Sequence, residues 1–378
     1  MKIKGVNLGS WLLMEGYILG GRNIAEHMYK RTFKAIYGNK GLVQFEDLFR
    51  NNFITEADFR NIAAMGAGAV RVPFNYRLFE CDAGFRYFDT LFSWAGLHNL
   101  GVILDMHAAP GAQNCDWHAD SAGQALFWNI PAYRQRACLL WEKIVDRYKD
   151  EPKLIGYDVL NEPVIGKKNP EIVARFYRQA IRRIRAIDST HTLFLEGDIW
   201  AQRVEYLRDL IEENIEISIH TYLPLNYTFN FRPFYSFPGT IDAEQWNKEK
   251  LYRYLESYHT FSRDNKVRIF VGEFGINWRG GFFGEETYLS DMLDIFDEFD
   301  FDYTYWTYKA VAGHAFPDGL YQSISDSRYV CREGPVYGWE TYYRYWKKER
   351  NNIVDFWRTK NFTVNTALTS ILKKHFAR

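Results

Sequence analysis

The sequence predicts an α/β fold, a (β/α)8 TIM barrel with elaborated βα loops, formed by residues 1–378 as a single domain. Three observations predict it. Eight short β-prone runs recur along the chain, and stretches with helical spacing of apolar residues lie between them. Two of the runs end directly at a glutamate: Glu162 in Tyr157-Asp158-Val159-Leu160-Asn161-Glu162-Pro163, and Glu273 in Ile269-Phe270-Val271-Gly272-Glu273-Phe274-Gly275. Strands alternating with helices imply parallel βαβ units, eight of which close a barrel whose chemistry sits at the C-terminal strand ends.

The strands are expected over 3–8, 69–72, 102–105, 154–159, 192–195, 215–219, 268–271 and 303–306. Each is a short run of β-branched, aromatic or aliphatic residues, as a strand buried on both faces requires. Helical periodicity marks 55–65, 132–148, 171–187, 243–261 and 285–299, with 337–357 as the last barrel helix and an appended short helix in 361–378. Four segments exceed a simple βα connection, namely 11–52, 108–130, 222–242 and 309–336, and are expected to build the rim of a cleft. There is no Gly/Ser- or Pro-rich linker and no internal repeat.

Composition narrows the partners. Forty-seven basic and 47 acidic residues cancel, without long runs of like charge, so neither nucleic acid nor an anionic membrane surface is indicated and a neutral substrate fits better. No run of 18 apolar residues exists to span a membrane. Aromatic residues make up 18% of the chain, enough to supply sugar-stacking platforms as well as core. Gly5-Val6-Asn7-Leu8 reads as the first strand rather than part of an export signal. Cys81, Cys115, Cys138 and Cys331 are scattered without metal-ligand spacing. A cytoplasmic monomer without metal or other cofactor is the expectation.

Paired strand-end carboxylates suit glycoside hydrolysis, and further residues at successive strand ends extend the pattern. In order they are Arg71 in Arg71-Val72-Pro73-Phe74-Asn75, His107 in Asp105-Met106-His107, Asn161-Glu162-Pro163, His220-Thr221-Tyr222, Glu273 and Trp306. Together these resemble glycoside hydrolase family 5 over nearly the whole barrel. Gly5-Val6-Asn7-Leu8-Gly9-Ser10-Trp11 with Glu15, and His107 through Asn114, are similar to its exo-β-1,3-glucanase branch, whereas the stretch 115–120 is longer than its counterpart there.

The resemblance implies a retaining β-glycosidase with Glu273 as nucleophile and Glu162 as acid/base, acting on a β-glucan or β-gluco-oligosaccharide. It also implies that Arg71 and Tyr222 orient the nucleophile and that Asn161 binds the sugar 2-hydroxyl. His107 and His220 would bind hydroxyls or tune the acid, Trp306 would floor the −1 subsite, and Glu15 would bind the terminal sugar. Family members that act as endo-β-1,4-glucanases, β-mannanases or lipid-linked β-glucoside hydrolases share these motifs, so linkage stays open.

Other readings compete. A non-catalytic carbohydrate-binding barrel would be expected to lack one of the two glutamates. Arg279-Gly280-Gly281 faintly suggests a phosphate site, and Asp116, His118 and Asp120 cluster as metal ligands would, though with no strong ligand spacing. Glu15 is explained almost equally by a rim salt bridge. Trp117, Trp128, Trp200, Tyr227, Trp278 and Phe316 lie in rim segments as either platforms or buried anchors.

Overall fold

The computed structural model of the chain describes residues 2–80, 82–323 and 339–378. Eight strands close a barrel: β1 (Lys4–Asn7), β2 (Ala69–Asn75), β3 (Gly101–Ala108), β4 (Leu154–Asp158), β5 (Thr192–Glu196), β6 (Ile215–His220), β7 (Arg268–Phe274) and β8 (Asp302–Tyr305). Each pairs in parallel with its sequence neighbours, and β8 closes onto β1. The strands expected from sequence all form. Several run further at the C-terminal end than their apolar cores indicated, since polar residues such as His107, Glu196 and His220 continue the ladder.

Strand side chains alternate between faces, so one inward row can be followed up each strand. At the lower end Ala69, Ile103, Phe194 and Phe270 form an apolar plug. Two residues higher, the same rows carry Arg71, Asp105, Glu196 and Gly272. The barrel interior thus turns from hydrocarbon to charge as it approaches the cleft. A second, larger core lies between the strands and the surrounding helices.

Between the strands run α1 (Glu26–Phe53) and α2 (Glu56–Ala64), then α3 (Phe85–His98), α4 (Pro131–Tyr148), α5 (Glu171–Arg185), α6 (Lys248–Asn265) and α7 (Glu285–Glu298). A 3₁₀ turn at Glu205–Leu210 stands between β5 and β6. The chain closes with α8 (Tyr342–Trp357) and α9 (Thr366–Phe376).

Three expectations need correction. The segment 11–52 is largely α1 rather than loop: Tyr29, Phe33, Phe45 and Phe49 face inward, and the helix packs on α8 through Phe45 against Trp346 and Trp357. Gly38, at φ 69° and ψ −179°, interrupts the helix and hid the periodicity. The helix expected over 243–261 starts at Lys248, because Asn247 caps it by accepting from the Lys250 amide at 2.9 Å; Gly239–Ile241 and Glu244–Trp246 form a hairpin before it. Part of 309–336 is strand: Lys309–Val311 and Tyr321–Ser323 join Thr363–Val364 in a small sheet. Cys81, Cys331, residues 324–336 of that rim segment and residues 337–338 of the last expected helix lie outside the described residues. Among those described, no helix is long and apolar enough to cross a membrane.

Candidate active site

The nine residues singled out from sequence meet at the C-terminal mouth of the barrel. Around them opens a cavity of about 420 Å3 lined by Glu15, His107, Glu162, His220, Tyr222, Glu273 and Trp306. Arg71 and Asn161 lie buried beneath it.

Arg71 is the hub. Its guanidinium donates to Asp158 (2.9 Å), Glu273 (2.9 Å), Glu196 (3.1 Å), Asn7 (3.1 Å) and Asn161 (2.9 Å), and it stands 3.1 Å from Asp105. A planar fork with five donors suits such a ring of oxygens. Burial of this crowd pushes Asp105 up to about 8 against the pull of Arg71, and pushes Asp158 well above the carboxylate range. Asp105 therefore favours its protonated form at neutral pH.

Glu273 is fixed at both oxygens, accepting from Arg71 at one and from the Tyr222 hydroxyl (2.8 Å) at the other. Its aim comes from a local irregularity. Ile219 pairs with Val271 but His220 pairs with Glu273, so the ladder skips Gly272 and turns the carboxylate into the cleft. A methyl at Gly272 would lie 2.9 Å from Ser218 Oγ and 3.0 Å from His220 Nε2, which leaves room only for hydrogen.

Glu162 leaves β4 in a left-handed conformation (φ 45°), with its amide donating to Glu196 Oε2 at 2.5 Å. Gln113 and Asn114 brace this turn: Gln113 donates to the carbonyls of His107 (2.7 Å) and Asn161 (2.8 Å), and Asn114 to that of Glu162 (3.0 Å). Glu162 Oε1 lies 2.7 Å from His220 Nδ1, and Oε2 lies 3.4 Å from His118 Nε2. His220 also stands 3.2 Å from Glu196 and 3.6 Å from Glu273. Burial opposes a charge on His220, but these three carboxylates outweigh it and raise its pKa well above the ordinary value. Burial likewise favours a neutral Glu162; the hydrogen bond from His220 and the charge of His118 prevail and hold it below its usual range. The proton of the pair is thus seated on His220.

His107 behaves differently. Burial pushes it down to about 3, so the ring is neutral, with Nδ1 held 2.7 Å from Asp105 and its face stacked 5.4 Å from Trp306. Trp306 lies one residue beyond β8 and donates its indole N–H to the Tyr17 hydroxyl. Glu15 is 2% exposed, and its Oε1 has no hydrogen-bond partner. It makes no ion pair among the described residues, so the rim salt bridge falls away; burial pushes its pKa up to about 8.

Sequence reading missed Asp158 and Glu196 as members of the charge network, although both end apolar strand runs as the two site glutamates do. It also considered His118 only as a metal ligand. Asp120 turns away from the other two candidates to pair with His27 (2.9 Å) and Arg77 (2.7 Å), while His118 swings over Glu162. Glu162, His220 and Glu273 bring ligand-type atoms within 4.8 Å of one another, but these atoms are engaged with each other, Arg71 and Tyr222. Arg279 stacks against the rings of Tyr227 and Phe283 and donates to the Tyr235 carbonyl, while its Nε and Nη2 have no hydrogen-bond partner. Of the rim aromatics, Trp117, Trp200 and Phe316 line the cavity, whereas Trp128 and Tyr227 are buried anchors.

Facing carboxylates in the mouth of a parallel (β/α)8 barrel define the class, a barrel enzyme acting on glycosidic bonds. Residues 31–311 match the family model for cellulase (glycosyl hydrolase family 5), and the chain belongs to that family; it is an O-glycosyl hydrolase. It is 29% identical over 330 residues to a beta-xylosidase of Phanerodontia chrysosporium, covering 82% of this chain and 67% of the relative. It is 31% identical over 235 residues to "Probable glucan 1,3-beta-glucosidase A" of Emericella nidulans, covering 58% and 57% respectively. An endoglucanase structure from Thermotoga maritima superposes with a TM-score of 0.63 at 20% identity over 98% of this chain and 96% of that one, a likeness of fold.

Proposed function

We propose that the enzyme is a retaining β-glucosidic hydrolase that removes single glucose units from the non-reducing end of short β-1,3-linked oligosaccharides, working as a cytoplasmic monomer without a metal. The observation that carries the mechanism is the approach of Glu162 and Glu273, whose nearest oxygens lie within 4.8 Å. Retaining enzymes hold their carboxyls about 5–5.5 Å apart, whereas inverting ones need about 6.5–9.5 Å to admit a water.

In this reading Glu273, oriented by Arg71 and Tyr222, attacks the anomeric carbon and forms the glycosyl-enzyme bond. The proton kept on the Glu162–His220 pair leaves with the departing oxygen through Glu162. Glu162 then takes a proton from water, and the water oxygen displaces Glu273 with the original configuration restored. Asn161, whose Oδ1 is held by Arg71, turns its amide toward His107 and the sugar's 2-hydroxyl side.

Release of single units is supported by how the cleft closes. Phe316 lies between Tyr17 (4.9 Å between ring centroids), Trp117 (5.4 Å), Phe229 (5.3 Å) and Phe231 (5.4 Å), so loops following β1, β3, β6 and β8 meet over one end. Glu15 lines the same cavity as Phe316 and has an unused oxygen. Proton NMR of the first product tests the mechanism: β-glucose is expected, and α-glucose appearing first would overturn it. In parallel, Glu273→Ala should lose turnover, with azide restoring formation of an α-glucosyl azide.

A further inference from the structure

Among the described residues nothing grips the Glu15 carboxyl: its Oε1 accepts no hydrogen bond and no ion pair reaches it, so the backbone that carries it sets its place in the cleft. That backbone is pinned twice. The Glu15 amide donates to Ser10 Oγ (2.9 Å), and the Met14 amide donates to Glu26 Oε2 (3.1 Å). Glu26 opens α1 and is fully buried. Its Oε2 also accepts from Asn75 Nδ2 (3.1 Å) at the end of β2, while Oε1 is held by Arg50 (3.0 Å) and Lys30 (2.6 Å).

The next residue of α1 holds a second loop. Ala25, just before the helix, has no side chain with which to cap it, and Asp120 from the loop following β3 supplies the cap instead. Asp120 Oδ1 accepts from the His27 amide (2.8 Å) and lies 2.9 Å from His27 Nδ1. Its Oδ2 accepts from Arg77 Nε (2.7 Å), and the Arg77 amide donates to Asn75 Oδ1 (3.1 Å). Burial favours a neutral Asp120; the hydrogen bonds from His27 and the charges of His27 and Arg77 prevail and hold it below its ordinary range. A carboxylate there also suits the positive end of the helix.

These bonds close a ring that runs from Asn75 through Glu26, His27, Asp120 and Arg77 back to Asn75. From one side of the ring the chain leads to Glu15. On the other, two residues before Asp120, His118 Nε2 lies 3.4 Å from Glu162 Oε2. Both side chains line the same cavity, and Glu15, raised to about 8 by burial, feels the charge of His118 more strongly than any other. We propose that the first turn of α1 is the common anchor of these two loops, and that Glu26 and Asp120 are positioning residues for sugar binding in the cleft. The proposal rests on Glu15 contacting the substrate.

Asp120 does not line the cavity, so Asp120→Ala opens the ring without removing a wall residue. An aryl β-glucoside with an acidic phenol needs little protonation by Glu162, so its kcat/KM reports the sugar-binding side of the site. Asp120→Ala should lower that kcat/KM about tenfold, because small displacements of a positioned group are costly. In a Glu15→Ala background, with no carboxyl left to misplace, the same change should cost less than twofold. Asp120→Asn keeps an oxygen that can cap α1 and should recover most of the loss, with circular dichroism reporting the fold of each variant. Should Asp120→Ala not fold, Arg77→Ala opens the ring at a side chain 44% exposed and is read by the same contrast between backgrounds. An equal loss in both backgrounds, or no loss in either, would overturn the anchor and leave the proposed mechanism standing. An enzyme indifferent to Glu15→Ala would overturn it too, by removing the contact it serves. Failure of the unmodified enzyme to cleave any β-glucoside would sink the functional reading and the anchor with it.

Discussion

Two residues make opposite demands on their surroundings. In the proposed mechanism Glu162 gives up a proton and later takes one back, yet His220 and His118 hold it ionised. Its removal should therefore hurt most where the leaving group needs protonation. Glu162→Ala should slow a β-1,3-linked disaccharide at least a hundredfold more than an aryl glucoside with an acidic phenol in the glycosylation step. Equal losses would deny it the acid role. Glu15 is buried with a pKa near 8, so below that pH it carries a proton and both donates and accepts, as an amide also does. Glu15→Gln should then cost only about 0.5–1.5 kcal/mol of transition-state binding, or roughly two- to tenfold in kcat/KM at pH 6. The same change should stabilise the fold. A carboxyl raised from 4.5 to about 8 in the native state keeps a proton that the unfolded chain releases, so its cost grows from pH 4.5 to 8 and stays constant above. Melting curves of Glu15→Gln should accordingly show no gain at pH 4 and their largest gain at pH 8 and above; a uniform gain would contradict the raised value. The gathering of the nine candidates at the barrel mouth was legible, because nearly all of them stand at or just beyond a strand end in a distinctive local context. His118, Asp158 and Glu196 were not recognised for their roles, because their meaning depends on which strands are neighbours in space.

At the scale of elements, β7 shows how a strand does more than carry a motif. The skipped residue Gly272 brings Glu273 level with His220, and its missing side chain leaves the space that Ser218 and His220 occupy. Gly272→Ala should push His220 off Glu162 and cut kcat/KM by about 10- to 100-fold, while costing about 1–3 kcal/mol of stability through overpacking. Normal activity in a folded variant, measured alongside urea denaturation, would mean that the spacing of β6 and β7 is not what aims the pair. The strands themselves were readable as apolar runs, since a parallel barrel buries both faces. Helix α1 was not. Gly38 and Gly41 break its apolar spacing, and its partner α8 lies some 300 residues away, so only tertiary packing reveals why Phe33, Phe45 and Phe49 face one way.

Across the whole molecule, the barrel is held at its upper end by one buried cation. Arg71 on β2 reaches acidic side chains on β3, β4, β5 and β7, tying five of eight strands together. Arg71→Lys keeps the charge but loses the fork. It should cost about 1.5–3 kcal/mol in urea denaturation and lower kcat by more than tenfold, because Glu273 loses its fixed partner. Full stability with reduced activity would show that the network serves chemistry alone. The alternation of strands and helices, the neutral charge balance and the paired glutamates made this architecture readable at the level of family. The substrate was harder to read, because it depends on loops after β1, β3, β5, β6 and β8 whose aromatic residues meet only in three dimensions.

The central claim is that Glu273 forms a covalent bond to the sugar, and one measurement addresses it most directly. A 2-deoxy-2-fluoro-β-glucoside with a good leaving group slows both steps but permits the first, so the intermediate should accumulate. Intact-protein mass spectrometry followed by peptide mapping should show a single added fluoroglucosyl unit on the peptide that contains Glu273. A label on any other residue, or turnover of the natural substrate by an enzyme that never acquires the label, would contradict the account.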